Sequence, residues 1–286
     1  MRQHLSVLEF GHGRYLKLAL LVCASAITAY VWHEPPTGYL KPYGGTWLGY
    51  TLGTIAAVLV VYLMLLGVRK RRYRSNMGSL QGWTSAHIYL GATLIVVATL
   101  HCAFEFGWNI HTLAYVLMLA VIASGFFGLY AYLRYPALIT ENLAGESLET
   151  TILKVSDLDR KCRALALDLP DSIIATIMKA TRTSARRMMV GGSFRRQLAG
   201  TDVRCPTRDA CVTLMRFETS SLTSWQVKKY EQLVTEMTRK SALTDRIRRD
   251  MRLRALLVVW LYFHVPLSFG LLAAVISHVV SVFYYW

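Results

Sequence analysis

Four histidines carry the chemistry this sequence could do. His87 and His101 lie fourteen residues apart in the apolar run QGWTSAHIYLGATLIVVATLHCAFEF (81–106). His264 and His278 lie fourteen apart in ALLVVWLYFHVPLSFGLLAAVISHVVSVFYYW (255–286). On an α-helix that separation falls about 40° short of four full turns, so each pair shares a face at roughly 21 Å along the axis. An imidazole facing lipid finds no polar partner, so ionisable side chains at membrane depth face a bundle interior and have a task there. Two runs offering imidazoles at matching depths suit two stacked planar metallocofactors, and haem b with one axial histidine from each helix is the natural candidate. The expected ligand sets are His87 with His264 and His101 with His278. Bis-histidine ligation closes the iron, so such a centre carries electrons and does not bind a substrate directly.

The elements that must position these residues follow from the composition. Of 286 residues, 54% are apolar. Five runs pass the length test for a ~30 Å hydrocarbon core: 14–31, 47–68, 83–104, 112–133 and 255–285. The first lacks a small-residue cleavage site before Glu34-Pro35-Pro36, so it is read as a retained helix rather than a signal sequence. The expected fold class is all-α, a polytopic membrane bundle of five transmembrane helices with a mainly helical cytoplasmic insertion before the last. The expected division is 1–136, 137–254 and 255–286.

A net charge of +15 invites a nucleic-acid reading, but its distribution argues for a membrane instead. Residues 134–254 hold 23 basic and 14 acidic side chains, and Arg69, Lys70, Arg71, Arg72 and Arg74 form a basic loop after the second run. The loops at 32–46 and 105–111 hold only Lys41 against Glu34 and Glu105. That asymmetry follows the positive-inside rule. It places the N-terminus and 137–254 in the cytoplasm and the C-terminus outside, in a prokaryotic plasma (inner) membrane. No nucleic-acid partner is expected.

Cys23, Cys102, Cys162, Cys205 and Cys211 form no C-x-x-C and no C-x-x-C-H, which excludes covalent c-type haem. The insertion offers three thiols where an iron–sulfur cluster needs four. Its helical periodicity runs through 141–169, 172–189 and 224–254, the last with Val227, Leu233 or Val234, Met237, Leu243, Ile247 and Met251 at helical intervals; 191–211 reads as loop. No Gly-rich dinucleotide fingerprint occurs in it, so its expected role is docking to a partner subunit or to anionic headgroups.

Other residues have blander readings. His4, His12 and His33 are surface or interfacial. Gly49, Gly53, Ala56 and Ala57 make a small-residue packing face. Gly91, one turn past His87, leaves room for a porphyrin edge. Pro136 is expected to end the fourth helix. Glu105 and His111, beside His101, suit either a quinone or acceptor pocket or an ordinary interfacial turn. Arg69, Lys70, Arg71, Arg72, Arg252 and Arg254 could neutralise haem propionates. Against the haem reading stand four unrelated packing or proton-relay histidines in a transporter or scaffold. Zinc or copper is a weaker fit, since a pair of histidines supplies too few ligands.

Depth provides a test. If both histidine helices start in the cytoplasm they run parallel; His87 follows the last basic residue Arg74 by thirteen positions and His264 follows Arg254 by ten. The first histidines therefore pair on the inner side and the second on the outer. On these residues the chain resembles the integral-membrane di-haem cytochromes b, both the ferric reductase and NADPH oxidase transmembrane domain and the cytochrome b of quinol-oxidising bc complexes. The resemblance implies two haem b groups and transmembrane electron transfer within a larger oxidoreductase complex. It implies iron–sulfur, flavoprotein or c-type cytochrome subunits as partners, with quinone as an outer reactant. The sequence departs from those families in lacking a sixth helix, a flavin/NADPH domain and the Pro-Glu-Trp signature, and in the long insertion before the last helix.

Overall fold

The computed structural model describes residues 7–34, 44–72, 77–182, 198 and 205–284, and among them there is no strand. The Pro/Gly-rich loop at 35–43, the end of the basic loop at 73–76, His4 and most of 183–204 lie outside the described residues. The helices are α1 Phe10–Trp32, α2 Trp47–Arg71, α3 Leu80–Cys102, α4 Ile110–Asn142, α5 Leu148–Ala166, α6 Asp171–Thr181, α7 Pro206–Met215 and α8 Ser224–Tyr284. Five of them, α1, α2, α3, α4 and α8, are long and apolar enough to cross a membrane.

The chain divides into two compact units, 1–133 with 260–286, and 134–259. In the first, α3 is the central element: 44% of its most apolar window is buried, against 11 to 17% for the other four long helices. Both of its flanks are fixed by local sequence. Ser79 caps its N-terminus by accepting from the Gly82 amide (3.1 Å), and Ala103, left-handed at φ 49°, ends it. Thr46 caps α2 in the same way through the Gly49 amide (3.0 Å). Such caps satisfy amides that the first helical turn leaves without partners. Before α1 straightens, Gly11, His12 and Gly13 take positive φ (57°, 56° and 70°), and this bend sets Phe10 against Gly82.

Two apolar layers hold this unit. Ala26, Leu48, Leu52 and Val97 join α1, α2 and α3. Val60, Leu94, Ala98, Met118 and Leu271 join α2, α3, α4 and α8. Leu94 is midway between His87 and His101, and Leu271 midway between His264 and His278. Their presence in one layer sets the depth of α3 against the last part of α8, and the neighbouring ring pairs His87–His264 and His101–His278 show the two to be parallel.

Pro136 does not end α4, which continues to Asn142. A proline deletes one amide and crowds the carbonyl four residues back, which kinks or breaks a helix only when nothing else holds the turn. Here Ala131 and Tyr135 are buried just before it, and the Thr140 hydroxyl donates to the Pro136 carbonyl (2.9 Å) just after. The loop expected at 191–211 is also shortened, because Pro206 occupies the first turn of α7 and Cys211 lies inside that helix. A proline at that position costs no hydrogen bond and is pre-set in φ.

The second unit packs Cys162, Ile173, Ile177, Leu214, Leu233 and Met237 into one core, with Val155 and Ile247 in a smaller one. Between Leu233 and Val234, the former is the buried residue and the latter only partly so. Within this unit Lys240 is 1% exposed, pairs with the Asp159 carboxylate at 2.6 Å and donates to the Ala180 carbonyl at 2.9 Å. Burial holds the Asp159 carboxyl above its usual range despite the pull of Lys240. Burial also pushes the Cys162 thiol up to about 11 and raises that of Cys211, which leaves both as inert thiols near neutrality.

Breaking a buried ion pair by removing one partner costs about 3–5 kcal/mol. Lys240→Met is therefore expected to loosen α5, α6 and the 224–259 part of α8, read as faster amide exchange there. In that variant the Asp159 carboxyl rises further, so folding favours its protonated form. A carboxyl raised in the folded state gives stability that is lost as pH climbs through its pKa. The damage is accordingly larger at pH 8 than at pH 5.

Candidate functional site

The four histidines predicted from spacing meet in two pairs. The His87 and His264 rings lie 6.5 Å apart between centroids with planes at 63°; His101 and His278 lie 6.1 Å apart at 65°. A metal bonded to one nitrogen of each ring at about 2 Å per bond puts trans ring centres about 6 Å apart. Both pairs have that span. All four rings are half-buried.

Each ring of α3 is oriented by a main-chain carbonyl of α2. His87 Nδ1 lies 3.0 Å from the Leu63 carbonyl oxygen, and His101 Nδ1 lies 2.7 Å from that of Gly49. A carbonyl only accepts, so Nδ1 carries the proton in each ring and Nε2 keeps its lone pair for a metal. This is the outer hydrogen bond typical of metal-bound histidine. On α8, His264 Nδ1 lies 2.6 Å from the Ser124 hydroxyl of α4, which can donate or accept and so orients the ring without fixing its tautomer.

Glycines mark where the rings seat. A Cβ on Gly53 would lie 2.7 Å from His101 Cε1 and 2.9 Å from its Nδ1. The small-residue face of α2, legible in sequence only as a packing signal, is thus the seat of a candidate ligand. On α4, a Cβ on Gly128 would come within 2.1 Å of Trp260 Cζ2, and the Trp260 indole donates to the Ser124 carbonyl (2.8 Å) one helical turn from the His264 ring. By contrast a Cβ on Gly91 would meet only Leu63 Cδ1, at 3.9 Å, so no side chain crowds that face of α3. Gly128→Ala is expected to push Trp260 off Ser124 and tilt His264. Any pigment held by His87 and His264 then falls while that held by His101 stays, checked by pigment content in the purified variant.

A fifth imidazole joins the second pair. His111, on the first turn of α4, lies 4.8 Å from the His278 ring and 5.3 Å from that of His101; its Nδ1 is 3.4 Å from His278 Nε2. One nitrogen from each of His101, His111 and His278 falls within a 4.8 Å cluster. The sequence marked His111, with Glu105, as part of an acceptor pocket or an interfacial turn, and not as a third member of the second pair. Its separation of ten residues from His101 across a helix break gives no periodicity from which to infer convergence. Among the candidate propionate partners, Arg69 is spent on the Arg72 and Gly78 carbonyls (3.1 and 2.7 Å), and Arg254 pairs with Asp250 at 2.7 Å.

No known protein-family model matches the chain, and comparison with curated proteins and with solved structures finds no match. Whatever is concluded about function rests on these residues.

Proposed function

We propose that this chain is the di-haem b-type subunit of a membrane oxidoreductase complex, with one haem between His87 and His264 and a second between His101 and His278. The observation that carries this reading is the repeated geometry: two imidazole pairs, each with the span of trans ligands, separated by Leu94 and Leu271 in one apolar layer. Packing histidines have no reason to repeat that span at two depths, and the Nδ1 contacts at three of the four positions hold those rings in orientation. Haem b, when bound, supplies a one-electron carrier at each depth. The chain's own groups hold the two carriers about 21 Å apart along the helices and fix the ring orientations. With the basic loops inside, His87 and His264 form the inner centre and His101 and His278 the outer one. Electrons then pass between a cytoplasmic iron–sulfur or flavoprotein subunit docked on 137–254 and an outer quinone or c-type cytochrome. A zinc or copper centre at the outer cluster is favoured by donor count alone. It would leave the inner pair, with two imidazoles, without an occupant.

A reduced-minus-oxidised spectrum and a pyridine haemochrome assay of the purified full chain test this. Two b-type haems per chain are expected. A colourless chain would instead be a transporter or scaffold with relay or packing histidines.

A further inference from the structure

The outer centre offers three imidazoles where a porphyrin iron takes two, and they are not equivalent. His101 is held from two sides: its Nδ1 is bonded to the Gly49 carbonyl, and its ring fills the space a Cβ on Gly53 would need. His111 and His278 face it together, 4.8 Å apart, from the N-terminal end of α4 and the C-terminal part of α8. His278 has the better trans span to His101 at 6.1 Å, while His111 at 5.3 Å falls short by under an ångström. A metal held by His101 would therefore have two side-by-side imidazoles, His111 and His278, available to it. The inner pair shows no third imidazole among the described residues: His87 is held by Leu63, His264 by Ser124, and the nearest other ring to His264 is the indole of Trp260 at 5.3 Å.

We propose that the outer haem is a ligand-exchange centre, in which His101 is the permanent axial ligand and His278 and His111 compete for the opposite position. This rests on the di-haem reading. In the exchange one iron–nitrogen bond to His278 breaks and one to His111 forms. Both imidazoles are neutral, and no electron or proton changes hands. His278 is the resting ligand by span, and His111 takes over when His278 is withdrawn.

The test uses the purified full chain and four variants, His278→Ala, His111→Ala, the double variant and His264→Ala. Haem per chain and the low-spin ferric signal in electron paramagnetic resonance are recorded for each. His278→Ala is expected to keep two haems, both low-spin, with altered g-values at one of them. His111→Ala keeps two with the wild-type signal. The double variant loses the outer haem or turns it high-spin, and retention of the inner haem shows that it is folded. His264→Ala loses or unligates its haem, since the inner centre has no reserve. A His278→Ala chain with one haem, or with a high-spin outer haem, overturns the exchange, as does a double variant that stays fully low-spin. One haem plus one zinc or copper ion per wild-type chain overturns it too. A wild-type chain without any haem is a different result, for it removes the di-haem reading itself.

Discussion

Replacing His87 by alanine is expected, on the proposed di-haem reading, to halve the haem content of the purified chain, from two per chain to one, and to leave the outer pair spectroscopically intact. The expectation follows from how the inner pair is built. His87 and His264 each offer one nitrogen across 6.5 Å, and no third imidazole stands by among the described residues. Removing either ligand leaves an iron with one axial bond in an apolar bundle, where bound pigment is readily lost during purification. If the two histidines act on one iron as proposed, their losses are not additive. The double variant His87→Ala/His264→Ala should therefore retain the same single haem as either parent. Independent packing residues would give the opposite pattern, with no pigment effect and stability losses that sum. The outer pair is separated from this damage by Val60, Leu94, Met118 and Leu271, which keep α3 and α8 in register without the inner ligands. Pyridine haemochrome stoichiometry across the three variants decides between the two patterns.

The parts of this arrangement legible in sequence are those governed by a period. Fourteen-residue spacing places His87 with His101 and His264 with His278 on helix faces, and the five long apolar runs declare themselves by length. Whether two faces meet is a tertiary matter. Here the basic loops supplied the missing constraint by making the two helices parallel. What stayed hidden has no period. His111 converges on His278 from 167 residues away through the start of a different helix. Gly49 and Gly53 look like any small-residue stripe until a ring is seen to fill the space beside them. Pro136 and Pro206 carry the same local signal, yet one lies within a helix and the other begins one; buried neighbours decided the first case and the free first turn the second. The buried Lys240–Asp159 pair was equally invisible, since a lysine in an amphipathic run reads as solvated unless its partner is known.

Gly53→Ala supplies the second large effect, because a single methyl group there collides with the His101 ring, the proposed anchor of the outer haem. The added Cβ would stand 2.7 Å from His101 Cε1 and 2.9 Å from Nδ1, distances that real Cβ atoms do not tolerate. The ring cannot simply recede, since its Nδ1 is bonded to the Gly49 carbonyl one turn earlier on α2. Relief requires either breaking that bond or moving α2 away from α3, and overpacking of this sort costs about 1–3 kcal/mol. At about 1.4 kcal/mol per factor of ten, retention of the proposed outer haem should weaken roughly fivefold to a hundredfold. The inner haem, held against Leu63 and Ser124, should stay at one per chain. Gly67→Ala makes the control on the same helix α2: nothing lies within 4 Å of its Cβ, so both haems should remain. If the Gly53 and Gly67 variants lose pigment alike, the effect belongs to helix packing in general. Loss confined to Gly53 places it in the contact with His101. His111 offers no rescue here, because in the proposed exchange it would compete with His278 on the side opposite His101 and would not replace the ligand that Gly53 seats.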